Sequence, residues 1–351
     1  MDKINEFFRS CDVDCVLLKT SERIRDENFH YFTKLDKYEN PNGILILRKN
    51  KQPVVLASQL EYGNLAGNRN FHTLKITTKK DLNLIMKKLP RRIGINYSAT
   101  TLESLKNLRS ISKKKFVDVS KFLSLVRAEK TKDEIKKIKT ACRMTEEILD
   151  SVIGKIKQGM TEKFVDQKIE ELIEKMEVHS AFPTIVASGS NSAVPHHISG
   201  IKKINKGVLL IDMGVVFENY CSDITRTFFV GHAPEQVKNS YSVVKKAQIS
   251  ALALVKEGVK ASTAFETANC ILKKELSQSL IHGLGHGLGL DVHDFPEGFT
   301  EKSRTVLKKD MVFTMEPGYY KGYGIRIEDD LVVGKSSPIM LTKSPKEIVE
   351  I

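Results

Sequence analysis

Gly207-Val-Leu-Leu-Ile-Asp212-Met-Gly214 and, after a short polar interval, Asp223-Ile-Thr-Arg-Thr-Phe-Phe-Val230 are the stretches that decide this fold. Each is an apolar, strand-like run with an aspartate at one end. A carboxylate in such a run is costly to bury unless a cation or strong hydrogen bonds compensate it. The pattern recurs downstream. Glu316 ends Met311-Val-Phe-Thr-Met315 and is followed by Pro317-Gly318, and Glu328 sits inside Ile325-Arg-Ile-Glu-Asp-Asp-Leu-Val-Val333. The acids stand eleven residues apart in the first block and twelve in the second.

Two helical patterns precede each block. The first pair begins at Thr131, a candidate N-cap with Glu134 three residues on, and at Thr161, with Lys157-Gln-Gly159 closing the first member. The second pair spans about 235–256 and 261–279, with Lys256-Glu-Gly258 in the equivalent place. Helix pair, acid-bearing hairpin, helix pair, acid-bearing hairpin is an internal duplication. Two such halves predict one α/β (α+β) domain over 124–351, with helices outside and the two hairpins face to face. That packing brings all four acids to one place. Residues 1–123 predict a smaller α/β domain. It has an amphipathic N-terminal helix, strands near 14–18, 43–47, 53–57 and 92–95, and helices near 79–88 and 100–110. The boundary falls within Phe122–Arg127.

Composition narrows the function classes. At 351 residues, two domains are the default, and 41% hydrophobic residues suffice for packed cores. No run approaches the roughly 18–20 apolar residues of a membrane span, and Met1-Asp-Lys-Ile-Asn-Glu lacks the order of a secretory signal. The expectation is a cytoplasmic protein with no membrane association. Five scattered cysteines form no Cys-x-x-Cys pair; Cys11 and Cys15, four apart, have the spacing of one helix face, and they read as small core residues in a reducing compartment. The net charge of +13 raises the question of nucleic acid. The lysines, however, are interspersed with glutamates, and the run Lys113-Lys-Lys115 carries no aromatic residues, which indicates a solvated surface rather than a specific nucleic-acid site.

Four converging carboxylates would repel one another strongly, and they nearly balance two divalent cations. Between the blocks lies His286, in His282-Gly-Leu-Gly-His286-Gly-Leu-Gly289. One imidazole among oxygen donors suits manganese, cobalt, iron or zinc in paired sites. The flanking glycines allow close backbone approach. Any one acid alone reads as half of a surface ion pair with a lysine; the ordered set does not.

The blocks Ser222-Asp-Ile-Thr-Arg-Thr227, Gly283-Leu-Gly-His-Gly-Leu-Gly-Leu290, Met315-Glu-Pro-Gly318 and Ile325-Arg-Ile-Glu-Asp329 resemble the "pita-bread" metallopeptidases. Among these the chain is most similar to the proline-specific branch, Xaa-Pro dipeptidase (prolidase) and Xaa-Pro aminopeptidase. The resemblance is strong over about 130–351. It is looser in the N-terminal domain, through Phe29-His-Tyr-Phe-Thr33, where the family carries Tyr-x-Thr-Gly and this chain has Lys34 in place of the glycine. It implies two divalent ions, manganese or cobalt with zinc or iron as alternatives, on Asp212, Asp223, His286, Glu316 and Glu328, with Asp223 and Glu328 bridging. It further implies that His196 and His293 contact substrate, that the N-terminal domain is creatinase/prolidase-like and restricts substrates, and that the protein is a homodimer acting on short proline-containing peptides.

The expected chemistry is hydrolysis by a metal-bridged hydroxide. Glu316 accepts and shuttles the proton, and His196 and His293 stabilise the oxyanion. Thr225 and Arg326 support the ligand carboxylates. His179, His197 and His232 read as ordinary polar residues, and the role of His282 stays open. Two positions depart from the pattern. Glu297 follows Pro296 where archaeal prolidases often carry an arginine for the dipeptide carboxylate, leaving Arg304 or a lysine as substitutes, and Asp330 stands where threonine is common. The glutamate raises the aminopeptidase alternative. Methionine aminopeptidase, a creatinase-like hydrolase and a non-catalytic pita-bread binding protein are the other readings.

Overall fold

Alternating apolar runs and helices before residue 127 build a six-stranded mixed sheet in the computed structural model, which describes residues 2–351. The chain divides into two compact units, one ending at Arg127 and the other Ala128–Ile351. The sequence boundary at 123/124 lies inside helix Ser120–Ala128, so the division follows the end of that helix. In the first unit the strand order is His72–Ile76, Val54–Ser58, Gly43–Arg48, Cys15–Thr20, Arg92–Ile95, Lys115–Asp118. The two outermost strands are the ones that hydrophobic periodicity did not reveal. As edge strands they leave several side chains in water and carry no continuous apolar signal.

Helix Asp2–Ser10 ends before Cys11, and Cys15 opens a strand, so these two cysteines do not share a helix face. Both are buried free thiols. Phe29–Thr33 lies in helix Glu27–Thr33, and Lys34 after it has φ of 60°. This is the left-handed helix-ending position that glycine favours, which explains why glycine is usual there.

The second unit is built twice. Helices Lys132–Ile153 and Glu162–Lys175 cover the strand pair Gly207–Met213/Ile224–Val230; helices Glu235–Leu252 and Ala261–Leu276 cover Val312–Met315/Asp329–Val332. Thr131 caps its helix in a reciprocal box with Glu134. The later helices end earlier than the pattern suggested, at Leu252 and Leu276. The duplication extends to single hydrogen bonds. Gly159 N donates to Ile204 O and Gly258 N to Leu307 O, both at 2.8 Å; Ile204 N returns to Met160 O at 2.7 Å and Leu307 N to Val259 O at 2.8 Å. Gly159 and Gly258 both have positive φ, 94° and 86°.

Each half has its own apolar cluster. Ile211, Leu209 and Ile169 are fully buried in the first, and Phe313, Val244 and Leu331 in the second. Burial of each such side chain contributes roughly 1.5–3 kcal/mol, so the strands that bear the acids are held by apolar packing on their helix side.

Candidate metal centre

Strand register sets the positions of the acids. Asp212 pairs across the ladder with Thr225, which leaves Asp223 one step past Ile224↔Met213. The turn of this hairpin is the two-residue Glu218-Asn219, both with positive φ, between Phe217 and Tyr220. In the second half Met315 pairs with Asp329, so Glu316 and Glu328 stand at the next level. Glu328 falls in the break between Gly324–Arg326 and Asp329–Val332, where the sequence read one continuous strand. The halves are tied directly: Glu328 N donates to Thr225 O at 3.0 Å.

The ligand atoms of Asp223, His286 and Glu328 all lie within 4.8 Å of one another. His286 Nε2 is 3.5 Å from Asp223 Oδ2 and 3.8 Å from Glu316 Oε1. Asp212 lines the same cavity, and its Oδ2 accepts from Arg326 Nη2. The Oδ1 atoms of Asp212 and Asp223 are buried with no hydrogen-bond partner. A buried acceptor without a donor is costly unless something cationic meets it. Four carboxylates and an imidazole therefore fit hard or borderline divalent cations.

The electrostatics agree with that fit. Burial, followed by repulsion from Glu328 and Asp212, pushes the Asp223 carboxyl far above the usual range. Burial and then Glu328 raise Glu316, with Arg326 opposing. Glu328 is pushed up to about 7 by burial and then Asp212. His286 is lowered to about 3, first by burial and then by His293, so the ring is neutral with a lone pair to give. Glycine makes its placement possible. A Cβ on Gly285 would lie 2.1 Å from Thr314 O, and one on Gly298 would lie 1.8 Å from Gly285 O and 2.5 Å from the His286 Cα.

Around these residues lies a supporting shell. Thr225 Oγ1 donates to Glu328 Oε2 at 2.6 Å. Arg326 donates through Nε to Thr225 Oγ1 at 3.0 Å and through Nη1 to Tyr320 Oη at 3.0 Å and Pro195 O at 3.3 Å. Nothing in the sequence marks Tyr320, which sits in the aromatic turn Gly318-Tyr-Tyr-Lys-Gly-Tyr-Gly324. His282 Nε2 meets the same Tyr320 hydroxyl at 2.9 Å, and its Nδ1 is 3.9 Å from Glu316 Oε2. Burial lowers His282 to about 4, which keeps it neutral. Asp330, without an account in the sequence, acquires one: Oδ2 accepts from Asp223 N at 2.9 Å and from the Cys142 thiol at 3.2 Å. The third acid of Glu328-Asp-Asp330 was the available signal.

These groups open onto a cavity of about 900 Å³, whose wall includes Phe182, Pro183, His196, His197, His293 and Arg326. The His293 ring meets His286 edge to face, centroids 4.2 Å apart. Glu297 and Arg304 are exposed and are not among its lining residues. His232 lies elsewhere, paired with Glu350 at 2.9 Å. No helix among the described residues is long and apolar enough to cross a membrane.

A duplicated α/β unit with an acid-lined centre is the architecture of the pita-bread metallopeptidases, and residues 136–335 match the model of metallopeptidase family M24: the chain belongs to that family and is a metallopeptidase that uses divalent metal. It is similar to the Xaa-Pro dipeptidase of Pyrococcus horikoshii, 32% identical over 99% of this chain and 97% of that protein. Among solved structures it resembles an Xaa-Pro dipeptidase from Bacillus anthracis, with a TM-score of 0.92 at 27% identity, covering 100% of this chain and 99% of that one. It also resembles an X-Pro aminopeptidase from Thermotoga maritima, with a TM-score of 0.90 at 28% identity, covering 98% of this chain and 99% of that one.

Proposed function

We propose that this chain hydrolyses Xaa-Pro bonds at the N-terminus of short peptides, as a prolidase-like enzyme holding two divalent ions on Asp212, Asp223, His286, Glu316 and Glu328. The observation that carries this reading is the convergence of three buried acids, the half-buried Glu316 and a neutral imidazole at one cavity, with unpartnered oxygens on Asp212 and Asp223. When bound, the ions supply Lewis-acid polarisation of the scissile carbonyl and a water acidified to near neutral pH.

The protein's own groups do the rest. Glu316, beside His286, takes the proton of the attacking water and delivers it to the prolyl nitrogen. That nitrogen carries no N–H in the peptide and belongs to a fixed ring, so a site shaped for the prolyl imide serves a bond that general peptidases handle poorly. His196 and His293 on the cavity wall donate N–H groups to the developing oxyanion and orient the peptide. Burial lowers His293, which favours its neutral form, and one ring N–H is then available as the donor. Arg326 offsets Asp212 and Thr225 fixes Glu328. Manganese or cobalt is the proposed pair, in a homodimer acting in the cytoplasm, with the N-terminal unit restricting peptide length.

The exposed Glu297 and Arg304 favour a second reading, an Xaa-Pro aminopeptidase, since neither is among the residues that line the cavity. Dialysis against a chelator abolishes Xaa-Pro hydrolysis, and manganese or cobalt restores it. Full activity in Glu316→Gln would sink the mechanism, and metal content near zero after supplementation would favour a binding protein. Rates on Xaa-Pro against Xaa-Pro-Yaa separate dipeptidase from aminopeptidase. Light scattering at twice the chain mass tests the dimer.

A further inference from the structure

The loop that carries His196 is anchored on a side chain remote from the metal ligands in sequence. Glu162, in the first turn of helix Glu162–Lys175, has no exposed surface. Its carboxylate is the hub of loop 188–200. Oε1 accepts from Ser188 N at 2.7 Å and Asn191 Nδ2 at 2.9 Å. Oε2 accepts from Asn191 Nδ2 at 3.1 Å and Gly200 N at 3.3 Å, and it lies 2.8 Å from His197 Nε2. One buried carboxylate thus ties both ends and the middle of a loop that otherwise lacks regular structure beyond the turn Gly189–Ala193. On its other side Arg326 holds the carbonyl of Pro195 at 3.3 Å. His196 lies between these two anchors, one from Glu162 through His197, the other from Arg326.

We propose that His197 is a positioning residue: with Glu162 it forms a clamp that fixes the His196 loop against the cavity, so that the His196 ring is in place before substrate arrives. The inference rests on the assignment of His196 to substrate. The physical argument is preorganisation. A loop histidine that donates to a developing charge contributes fully only if it is not reordered during the reaction. A hydrogen bond to a buried carboxylate is stronger than a neutral one, and the carboxylate without its donors would be left uncompensated. The position after His196 is therefore filled by a side chain that binds the scaffold carboxylate of Glu162. The His197 ring also borders the cavity, so direct contact with substrate is the competing explanation.

A double-mutant cycle decides between them. In the metal-loaded full-length protein, His197→Ala is expected to lower kcat/KM on an Xaa-Pro peptide by about 10–100-fold, the range for misplacing one oxyanion donor. Metal content per chain stays as in wild type. In a His196→Ala background the same change costs less than about threefold, because no ring remains to position. His197→Gln, which keeps a side-chain N–H donor, recovers most of the loss. Hydrogen exchange reads the clamp without catalysis: amides of 188–200 exchange at least about tenfold faster in His197→Ala and in Glu162→Gln, with those of 207–213 unchanged. An undiminished His197→Ala effect in the His196→Ala background, or unaltered exchange of 188–200, overturns the proposal. If wild type cleaves no Xaa-Pro peptide, the functional reading fails, and the exchange experiment still decides the clamp.

Discussion

Arg326 donates through Nη2 to Oδ2 of Asp212, and the ion pair is buried on both sides. Among the described residues that line the cavity, Arg326 is the one arginine and no lysine joins it. Its other donors reach Thr225, Tyr320 and Pro195, so a single guanidinium joins a proposed ligand, the support of Glu328 and the loop before His196. Removing one member of a buried, hydrogen-bonded pair leaves an uncompensated charge and typically costs about 3–5 kcal/mol.

Arg326→Ala is accordingly expected to destabilise the metal-free protein by about 3 kcal/mol or more. Lysine cannot restore this set, since four acceptors reached from three nitrogens need the planar guanidinium. Urea unfolding of the apo forms measures this, and a loss below about 1 kcal/mol would contradict it.

The carboxyl of Glu328 yields a pH signature. Its ordinary value of 4.5 rises to about 7 in the fold. Between these values the folded state binds more protons than the unfolded one, so this group's contribution is full below about 4.5 and is lost as pH rises through 7. His282 and His286 act in the opposite sense, because their lowered values make stability rise with pH from about 3–4 towards 6.5. The difference between apo wild type and Glu328→Gln cancels the histidines. Thermal melts should show wild type losing ground to the variant from pH 4.5 to 7.5. Added divalent metal, which needs the ionised form, should abolish that loss and release protons on binding.

Asp330 supports Asp223 through the backbone, so its removal should affect metal more than fold. Asp330→Ala is expected to weaken metal binding by roughly 10–100-fold, as for other residues that orient a ligand. Asp330→Thr should lose less, because a hydroxyl oxygen can still accept from Asp223 N. Calorimetric titration of the apo proteins reads both affinities.

Gly298 is a sensitive backbone position beside the proposed metal ligands. Its absent Cβ is replaced by Gly285 O and the His286 Cα, and neither can yield without moving the imidazole. Gly298→Ala should reduce bound metal to at most one ion per chain, and Gly154→Ala, where a Cβ meets nothing within 4 Å, should leave metal content intact. Metal analysis of the two variants makes the comparison.

The acids, the histidine and the duplication were legible in the chain itself, because burying charge in apolar runs is so unfavourable that its repetition at matched spacing has few explanations. Asp212, Asp223, Glu316 and Glu328 could be read as a set from that alone, with His286 drawn in by its place in the glycine-rich stretch between the blocks and the resemblance adding the expected roles. The central strands of the first unit were legible for the same reason, as continuous apolar runs, whereas edge strands His72–Ile76 and Lys115–Asp118 were not, because water satisfies their polar side chains. What only tertiary structure decided is which groups serve the acids. Tyr320 meets both Arg326 and His282, Cys142 meets Asp330 across 188 residues, and Glu162 meets His197 across 35. Hydrogen-bond partners are chosen by proximity after packing, and no local periodicity encodes them. The sequence named the charges that had to be neutralised; the fold determined how each carboxylate is turned and held.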